Sequence, residues 1–340
     1  MRSVEKSIRV VNGISDCSKN WDSLGGATVF MKKEFLGHLE QTNYCNQTYY
    51  EYYVNEKLVT ATLVYTLGID LFTFSSLSLP IKVRIIGIPA SVAAPPIIGD
   101  QKCFNTLLKE ILNVEKGLIL GLNFLEPHLE DLVVDMNTLP TLVASIPDQS
   151  FLNYLHRMRH PYRRRIKKSV CLFDVVKTKL ESCSAFTESH YALYKAIMDR
   201  TSTKLEVLSI QFFQNLPPAF KLTSHYFDDT LIAWQITVRD GTILYFLFGG
   251  LNYDFRDRFN SYFNNIISIV NIAISNGSNV IDFGQTAELS KMRLGAIPEA
   301  RKMFFFHKNL IIRALLKAFK PFISYTSKTL QPNVFRPTLR

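Results

Sequence analysis

Residues that could bind an anion lie between a strand and a helix predicted in the second half of the chain. The apolar run Ile243 to Phe248 ends at two glycines, a polar loop follows, and helical spacing begins at Tyr262. Glycines beside a helix N-terminus can present backbone N–H groups and a positive dipole end to a phosphate. The candidate binding residues are Gly249, Gly250, Asn252, Asn260 and Tyr262.

A second candidate anion site lies in the short basic element that follows the predicted strand Asn279 to Gly284. Lys291 and Arg293 are two residues apart there. In an extended or irregular segment the two side chains would point the same way, where they could bind a phosphate or a carboxylate. The alternative is a solvated surface pair.

The elements that must position these residues follow the same order in both halves of the chain. Each half shows a helix, a strand meander, a loop of glycine or small residues, a helix and a strand, which predicts two copies of one α/β unit. The elements predicted in the first half are a helix at 31–40, strands at 49–55, 57–67 and 82–88, a helix at 101–114 capped by Asp100, and a strand at 118–124. A long helix at 148–168, interrupted near Pro161, precedes the second half. There we predict a strand at 172–177, helices at 188–199, 210–215 and 262–275, and strands at 220–227, 231–238, 242–248 and 279–284.

Length and composition indicate a folded chain of two domains. The chain has 340 residues, of which 47% are hydrophobic, and domains typically contain about 100–200 residues. The first residues lack the apolar core of a signal peptide, and no run reaches the ~20 apolar residues of a membrane span. The five cysteines are scattered and form no CxxC pair, as expected of reduced thiols. We therefore expect a cytoplasmic protein.

The net charge of +10 is concentrated in two segments. No acidic residue follows Glu299, and a central run from Arg163 to Lys168 is strongly basic. Such segments suit phosphate-bearing partners: a nucleotide cofactor, an RNA, an acidic carrier protein or an anionic membrane. Basic residues at 313, 317 and 320 among large apolar ones predict an amphipathic helix able to lie on a membrane surface. A solvated basic face, or a closing helix packed on its own domain, is the alternative.

Several short motifs of the second half, in the order in which they occur, resemble a known family. They are Leu231 to Ile236, Tyr245 to Asp254, Asn276-Gly277, Ile281-Asp-Phe-Gly284 and Lys291-Met-Arg-Leu-Gly295, with support from Trp21 and from Tyr162 to Lys168. Together they resemble the GNAT superfamily of acyltransferases, in the branch of the Fem-type peptidoglycan aminoacyltransferases and the BioF2-like (CelD-like) acetyltransferases. The resemblance covers nearly the whole chain.

The resemblance implies an α/β (α+β) fold of two tandem GNAT-like domains, each a mixed, mostly antiparallel sheet flanked by helices. The boundaries that we expect are a first domain at 1–147, a connecting basic helix at 148–169, a donor-binding domain at 170–309 and a basic amphipathic tail at 310–340. The two anion-binding groups above then become candidate donor-binding residues.

The donor implied by the resemblance is an acyl thioester, carried by coenzyme A or by an acyl carrier protein. The loop from Asn252 to Ser261 lacks the family's pyrophosphate signature, [QR]-x-x-G-x-[GA], so an acyl carrier protein or an aminoacyl-tRNA stays open as the donor. The Fem-type alternative would place a tRNA backbone on Arg163 to Lys168. The coiled-coil insertion that Fem-type enzymes often carry is not visible in the sequence.

Acyl transfer requires an aligned nucleophile, a group that removes its proton and donors for the oxyanion. Asp282, at the end of a predicted strand, is the first candidate for the base, followed by Glu288 and Asp254. Tyr245 could donate to the oxyanion or protonate the leaving thiolate. A cap or bracing role for Asp282 and a core role for Tyr245 are the alternatives.

No metal is expected, because none of the seven histidines lies at a ligand spacing from another histidine, a cysteine or a carboxylate. His225 is the one histidine to test as a base, and packing is the favoured interpretation. The predicted function is an acyltransferase, with an N-acyltransferase expected. Its acceptor would be an amine or hydroxyl of a small molecule, a sugar or a lipid precursor. A Fem-type aminoacyltransferase and a non-catalytic binding protein are the alternatives. A peripheral position at the inner face of the membrane is also expected.

Overall fold

The computed structural model describes residues 5–43, 45–201, 205–327 and 330–337. Lys328 and Arg340 of the predicted basic tail lie outside the described residues, as do residues 1–4. The chain forms two compact units. Unit 1 comprises Met1–Leu139, Leu205–Leu208 and Ala300–Ser327, and unit 2 comprises Pro140–Lys204, Ser209–Glu299 and Lys328–Arg340.

Unit 1 contains a mixed sheet and four α-helices among its described residues. Its strands are β1 (Lys6–Val11), β2 (Thr48–Val54), β3 (Lys57–Asp70), β4 (Pro80–Ile86), β5 (Ile98–Gly99), β6 (Ile119–Phe124) and most of β13 (Ile297–Phe306). Its helices are α1 (Lys33–Thr42), α2 (Gln101–Val114), α10 (Leu310–Ala318) and α11 (Lys320–Ile323).

The sheet of unit 1 has the order β1-β2-β3-β4-β6-β13. Its pairs are antiparallel except for β4 and β6, which run parallel because the crossover between them carries α2. The carboxylate of Asp100 accepts from the backbone N–H groups of Lys102 and Cys103, as the predicted N-cap of this helix requires. Buried apolar side chains of α2, including Phe104 and Leu108, pack on the sheet in one core cluster.

Unit 2 repeats this architecture with other parts of the chain. Its strands are the second half of β7 (Val134–Ser145), β8 (Lys177–Ser182), β9 (Phe220–Phe227), β10 (Thr230–Asp240), β11 (Ile243–Leu251) and β12 (Val280–Asp282). Its helices are α3 (Phe151–Arg157), α4 (His160–Phe173), α5 (Glu188–Met198), α6 (Ile210–Gln214), α7 (Arg256–Phe259), α8 (Ser261–Ser275) and α9 (Glu288–Met292).

The sheet of unit 2 has the order β7-β12-β11-β10-β9-β8. Here β11 and β12 form the parallel pair, and α8 fills the crossover between them. Ile266, Ile269 and Val270 of α8 are fully buried in the core cluster of this unit. Both units therefore have the predicted mixed, mostly antiparallel sheet flanked by helices, which confirms the predicted fold class.

Four predictions of secondary structure need correction. The predicted helix at 148–168 is two helices, α3 and α4, which are separated at Met158 and Arg159. The strand predicted at 172–177 begins only at Lys177, because α4 continues to Phe173. Strand β11 runs through both glycines to Leu251. The basic element at Lys291 is helical, and β1, β7 and β13 were not predicted.

None of the helices in the described part of the chain is long and apolar enough to cross a membrane.

Candidate functional site

The parallel strands of unit 2 separate after a short paired stretch. Strands β11 and β12 pair only from Ile243 with Val280 to Tyr245 with Asp282. Directly beyond, the pairing of β11 with β10 shifts by one residue at Leu247, which is a β-bulge. Bulges bend a strand and often lie beside active sites. We call this point, with Tyr245, Phe246, Asp282 and Gly284, the fork of unit 2.

Asp282 lies at the fork with one carboxylate oxygen held in place. Its Oδ1 accepts a short hydrogen bond from the Thr141 hydroxyl and one of 2.8 Å from the backbone N–H of Gly284. Its Oδ2 has no hydrogen-bond partner within the described part of the chain. The carboxylate is therefore fixed in orientation, with an oxygen left to accept a proton.

Lys291 reaches the fork from helix α9 and is only 2% exposed. Its Nζ donates to the carbonyl oxygens of Gly284 at 3.2 Å and Gln285 at 2.5 Å, and it lies 5.8 Å from the ring centroid of Phe246. Burial lowers the pKa of Lys291 to about 7, against the charges of Asp282 and Glu288, which raise it. Because an ammonium has three N–H donors, one remains for a third acceptor.

The structure brings the predicted catalytic residues together at this fork. Tyr245 is directly opposite Asp282 in the strand register, and both are half-buried. Glu288 is buried in the first turn of α9, one helical turn before Lys291, and its charge acts on the Lys291 ammonium. Their catalytic roles stay predictions.

Arg293 does not point the same way as Lys291, contrary to the expectation for an extended segment. Lys291 is helical and Arg293 follows the end of α9, so the two side chains leave the backbone on different sides. Arg293 is half-exposed. Partial burial and, to a lesser extent, the nearby Arg165 lower its pKa.

At the N-terminus of α8, where a donor phosphate was expected, two asparagine side chains are hydrogen-bonded within the protein. The side chain of Asn260 donates to Ser169 Oγ at 2.8 Å, and the Asn264 amide donates to the carbonyl oxygens of Ser169 and Phe259. Ser261 and Ser169 are buried. These bonds are made by side chains, so phosphate binding by the backbone N–H groups of this turn stays a prediction.

The two glycines of β11 accommodate a tryptophan. Gly250 is opposite Trp234 in the register, and a Cβ on Gly250 would lie 2.0 Å from the indole nitrogen. A Cβ on Gly249 would lie 3.0 Å from the Trp234 carbonyl oxygen. Asn252 accepts from the backbone N–H of Asp254, and burial raises the pKa of Tyr262. Each of these residues thus has a role in the fold, and donor binding by them stays a prediction.

His225 lies in the core of unit 2. Its Nδ1 is 2.9 Å from the Thr178 hydroxyl, its ring packs on Phe173, and burial lowers its pKa to about 4. Packing in the core agrees with the favoured interpretation of His225, and its role as a base stays a prediction. Within the residues that the structure describes, no group of three or more His, Cys, Asp or Glu side chains could hold a metal ion.

The parallel strands of unit 1 form a second fork, near which a carboxylate is bound instead of an amine. Strands β4 and β6 pair from Arg84 with Ile119 to Ile86 with Gly121, and the chain then turns at Ala90 and Ser91, both with positive φ. The carboxylate of Glu206 accepts from the backbone N–H of Ser91 at 3.1 Å and the amide of Asn43 at 2.9 Å. Burial raises the pKa of Glu206.

Unit 1 also carries an open polar cleft of about 380 Å³. Its wall combines amide, hydroxyl, carboxylate and guanidinium groups, from Asn12, Glu40, Asn43, Asn46, Gln47, Thr48 and Arg84. The guanidinium is paired with Glu115 at 2.8 Å, so the cleft offers neutral donors and acceptors more than net charge.

Sequence reasoning did not find Thr141, Ser169 or Glu206. Thr141 belongs to a strand that was not predicted. Ser169 directly follows the basic run Arg163 to Lys168 and is part of no motif of its own. Glu206 reaches unit 1 from a segment that lies far along the chain from the rest of that unit. No local sequence signal marks such a contact.

A mixed sheet with one parallel pair that opens beside a bulge, and a helix in the crossover, agrees with the GNAT-like fold that the sequence motifs predicted. Residues 156–291 match the family model of the acetyltransferase (GNAT) domain. The match covers this part of the chain and supports there the resemblance to the GNAT superfamily that the sequence motifs predicted. No curated protein matches the sequence.

Solved structures share the fold at low sequence identity. FemX superposes with a TM-score of 0.55 at 12% identity, covering 92% of this chain and 100% of FemX. L-PGS from Bacillus licheniformis gives a TM-score of 0.53 at 9% identity, covering 89% of this chain and 94% of its own. A conserved protein of unknown function from Bacteroides thetaiotaomicron gives 0.56 at 10% identity, covering 89% and 100%. The chain thus shares the fold of these proteins.

Proposed function

We propose that the protein transfers an acyl group from a thioester to an amine or hydroxyl at the fork of unit 2. The observation that supports this most is the Lys291 amine, buried between the Gly284 and Gln285 carbonyls with its pKa brought to about 7. Burying a lysine is costly, and strongly shifted groups cluster at functional sites. Asp282, with its Oδ2 unbonded within the described residues, lies at the same fork.

In the proposed reaction, the acceptor nitrogen or oxygen attacks the thioester carbonyl carbon. Asp282 Oδ2 takes the proton of the nucleophile, and the third N–H of the Lys291 ammonium donates to the carbonyl oxygen as it becomes negative. The new C–N or C–O bond forms, the C–S bond breaks, and the thiolate leaves. Tyr245, opposite Asp282, is the candidate to protonate the thiolate.

Exchange of Asp282 for asparagine tests the site. Release of free thiol from acetyl-CoA and from long-chain acyl-CoA would be measured with a panel of amine and alcohol acceptors. Asp282→Asn should lower turnover at least ~100-fold, because the amide cannot accept the proton. Asp229→Asn, which removes an exposed carboxylate from the turn between β9 and β10 of the same unit, is the matched control and should keep activity. Equal turnover in both variants would remove Asp282 from the role of base.

The pH profile separates the two protonation states of Lys291. If the ammonium is the donor, the rate of the native protein should fall as pH rises above about 7, because the donor loses its proton. Lys291→Arg should remove this alkaline limb, since a guanidinium stays charged. An identical limb in both proteins would assign it to another group.

The donor that we propose is recognised through its acyl-pantetheine portion, which coenzyme A and acyl carrier proteins share. Support comes from the start of α8, where the Asn260 side chain and the Asn264 amide are hydrogen-bonded to Ser169 of α4 and not directed to a ligand. Native mass spectrometry with acetyl-pantetheine, acetyl-CoA and an acetylated carrier protein tests this. Acetyl-pantetheine and acetyl-CoA should bind within about threefold of each other. Binding of acetyl-CoA alone would show that the diphosphate is recognised after all.

The acceptor that we propose is a polar small molecule, such as an amino sugar or an amino acid. The polar groups at the fork of unit 2 support it, since the Asp282 carboxylate and the Lys291 amine can accept from and donate to hydroxyl and amino groups. In the thiol-release assay, amino sugars and amino acids should outperform aliphatic amines of similar pKa. A preference for aliphatic amines would favour a lipid-like acceptor.

A second candidate is a Fem-type transferase that takes its acyl group from an aminoacyl-tRNA. Exposed basic side chains on α4 favour it, namely Arg164, Arg165, Lys167 and Lys168. Binding to an RNA backbone would weaken steeply with salt. A filter-binding titration with total tRNA at ~50 and ~200 mM salt checks this, with α4 lysine-to-glutamine variants as comparison.

A further inference from the structure

Helix α10 and the segment after it expose large apolar side chains at one surface of unit 1. Ile311 is 71% exposed, Leu310 70% and Leu315 52%, and in α11 Phe322 is 48% exposed. Ile311 and Leu315 are four residues apart, so they are neighbours on one side of the helix. Single exposed apolar residues are ordinary, whereas a group of them marks an interaction surface.

This exposure is not caused by a loosely packed helix. The opposite side of the same segment is firmly anchored, because Leu316 and Ile323 are buried in a core cluster of unit 1 and Ile312 packs against it. Asn309 caps the helix by accepting from the backbone N–H of Ile311, and the Arg313 guanidinium donates to the Leu132 carbonyl oxygen at 2.9 Å. The outward side is therefore presented by a fixed scaffold.

A neighbouring loop adds further apolar side chains to this surface. Phe72 makes an edge contact with Phe319 at 5.9 Å, and Phe74 contacts Tyr325 at 5.4 Å, which puts the loop 71–79 beside α10 and α11. Leu77 and Leu79 of this loop are 48% and 45% exposed. Asp70 holds the loop in shape by accepting from the Phe72 and Leu79 backbone N–H groups.

In the C-terminal segment that forms part of this surface, the charged side chains are basic. The stretch Ala300–Ser327 contains six basic residues and no acidic one. Lys317 and Lys320 are exposed beside the apolar side chains. Apolar side chains that enter a lipid interface, flanked by lysines that reach anionic headgroups, are the composition of interfacial membrane helices.

We propose that this surface, formed by α10, α11 and the loop 71–79, binds the protein to the face of an anionic lipid bilayer. The apolar side chains of Ile311, Leu315 and Phe322 enter the headgroup boundary while Lys317 and Lys320 contact lipid phosphates. The binding is peripheral, because α10 is too short to span a bilayer and its inner side is committed to the core.

Co-sedimentation of the full chain with vesicles tests this surface. Vesicles of phosphatidylglycerol mixed with phosphatidylcholine should bind the protein, and pure phosphatidylcholine vesicles should bind it at least ~20-fold more weakly. The double variant Ile311→Ser with Leu315→Ser should lose at least about tenfold in partitioning. Lys317→Gln with Lys320→Gln should lose about 20-fold on the anionic vesicles only.

Matched controls come from exposed residues elsewhere. Leu180, 65% exposed on β8, can be changed to serine, and the exposed Lys19 to glutamine; both variants should bind like the native protein. Circular dichroism should show the same fold for all variants. Absence of binding to anionic vesicles would overturn the proposal, as would undiminished binding of the serine variant. A dimer that this variant abolishes, without vesicle binding, would assign the surface to a second copy of the chain.

Discussion

The forks of the two units have the same strand arrangement, but the side chains bound there are of opposite charge. In unit 2 an ammonium, that of Lys291, is held by the backbone carbonyls of Gly284 and Gln285. In unit 1 a carboxylate, that of Glu206, is held by the Ser91 backbone N–H and the Asn43 amide. One fork thus presents C=O groups to a cation and the other presents N–H groups to an anion.

The difference indicates how a duplicated fold can divide its roles. In unit 2 the ammonium lies beside Asp282, whose Oδ2 is unbonded within the described residues, so donor and acceptor groups remain for a substrate. In unit 1 both oxygens of the Glu206 carboxylate accept hydrogen bonds from groups of the same unit. The adjacent Leu205 packs on the core. We therefore place the chemistry in unit 2 and a structural role at the fork of unit 1.

The largest expected effect is a loss of turnover on substitution at the fork of unit 2 but not at the fork of unit 1. Lys291→Met should lower turnover by about 100- to 1,000-fold, the usual loss when one oxyanion donor is removed. The substitution also leaves the Gly284 and Gln285 carbonyls without this donor, so circular dichroism should establish that the variant is folded before turnover is compared. Glu206→Gln should leave turnover within about threefold. If the two variants lose activity equally, the assignment of chemistry to one fork is wrong.

The next effect separates the forks by stability. Glu206→Ala should lower the free energy of unfolding by about 1–3 kcal/mol, because the Ser91 N–H and the Asn43 amide lose their acceptor. Urea unfolding monitored by circular dichroism measures it. Glu130→Ala, at an exposed carboxylate of the same unit, is the control and should change stability by less than ~0.5 kcal/mol.

The pH dependence of stability should have opposite signs in the two units. The pKa of Lys291 is about 7 in the folded state against 10.5 for an unburied lysine, so the unfolded chain binds more protons between these values. Unit 2 should therefore gain stability as pH rises from 7, by up to about 1.4 kcal/mol per pH unit. The raised pKa of Glu206 should make unit 1 lose stability as pH rises above 4.5.

Hydrogen exchange followed by mass spectrometry can read these two trends separately, on peptides from β12 and α9 and on peptides from β4. Lys291→Met should remove the trend in unit 2 alone, and Glu206→Gln the trend in unit 1 alone. A single trend shared by both units would show that the forks do not titrate independently.

The smallest effect concerns the orientation of Asp282. Thr141→Val removes the hydroxyl that donates to Asp282 Oδ1 and leaves the Gly284 N–H bond in place. Turnover should fall by about three- to tenfold, consistent with loss of one hydrogen bond. Steady-state kinetics should show the loss in kcat. A change in KM alone would mean that Thr141 contributes to substrate binding instead.

Local elements were predicted well from the sequence where the signal is local. Helix α2 begins after the Asp100 cap and ends at Val114 as predicted, and β9 has the predicted bounds. The motif Ile281-Asp-Phe-Gly284 led to Asp282 as first candidate for the base, and the structure puts that residue at the fork. Capping, turn residues and hydrophobic period act over a few residues, so the sequence displays them directly.

The division into units follows long-range pairing that no local pattern encodes. Strand β7 follows β6 along the chain but pairs with β12, and β13 follows β12 but pairs with β6. Each unit thus takes a strand from the part of the chain that builds the other. The predicted domain boundary at residue 147 and the predicted separate tail after residue 309 stay predictions. They were drawn along the chain and do not include this exchange of strands.

The sequence by itself determined the class of protein, the order of elements in the GNAT domain and the carboxylate at the end of β12, because these depend on short-range preferences and motifs. Only the tertiary structure decided the environment of each candidate. It buried Lys291 between two carbonyls, bonded the Asn260 side chain at the start of α8 to Ser169, and brought the Glu206 carboxylate to the Ser91 N–H. Burial, pKa and access arise from residues brought together from distant segments, which is why spacing along the chain could not supply them.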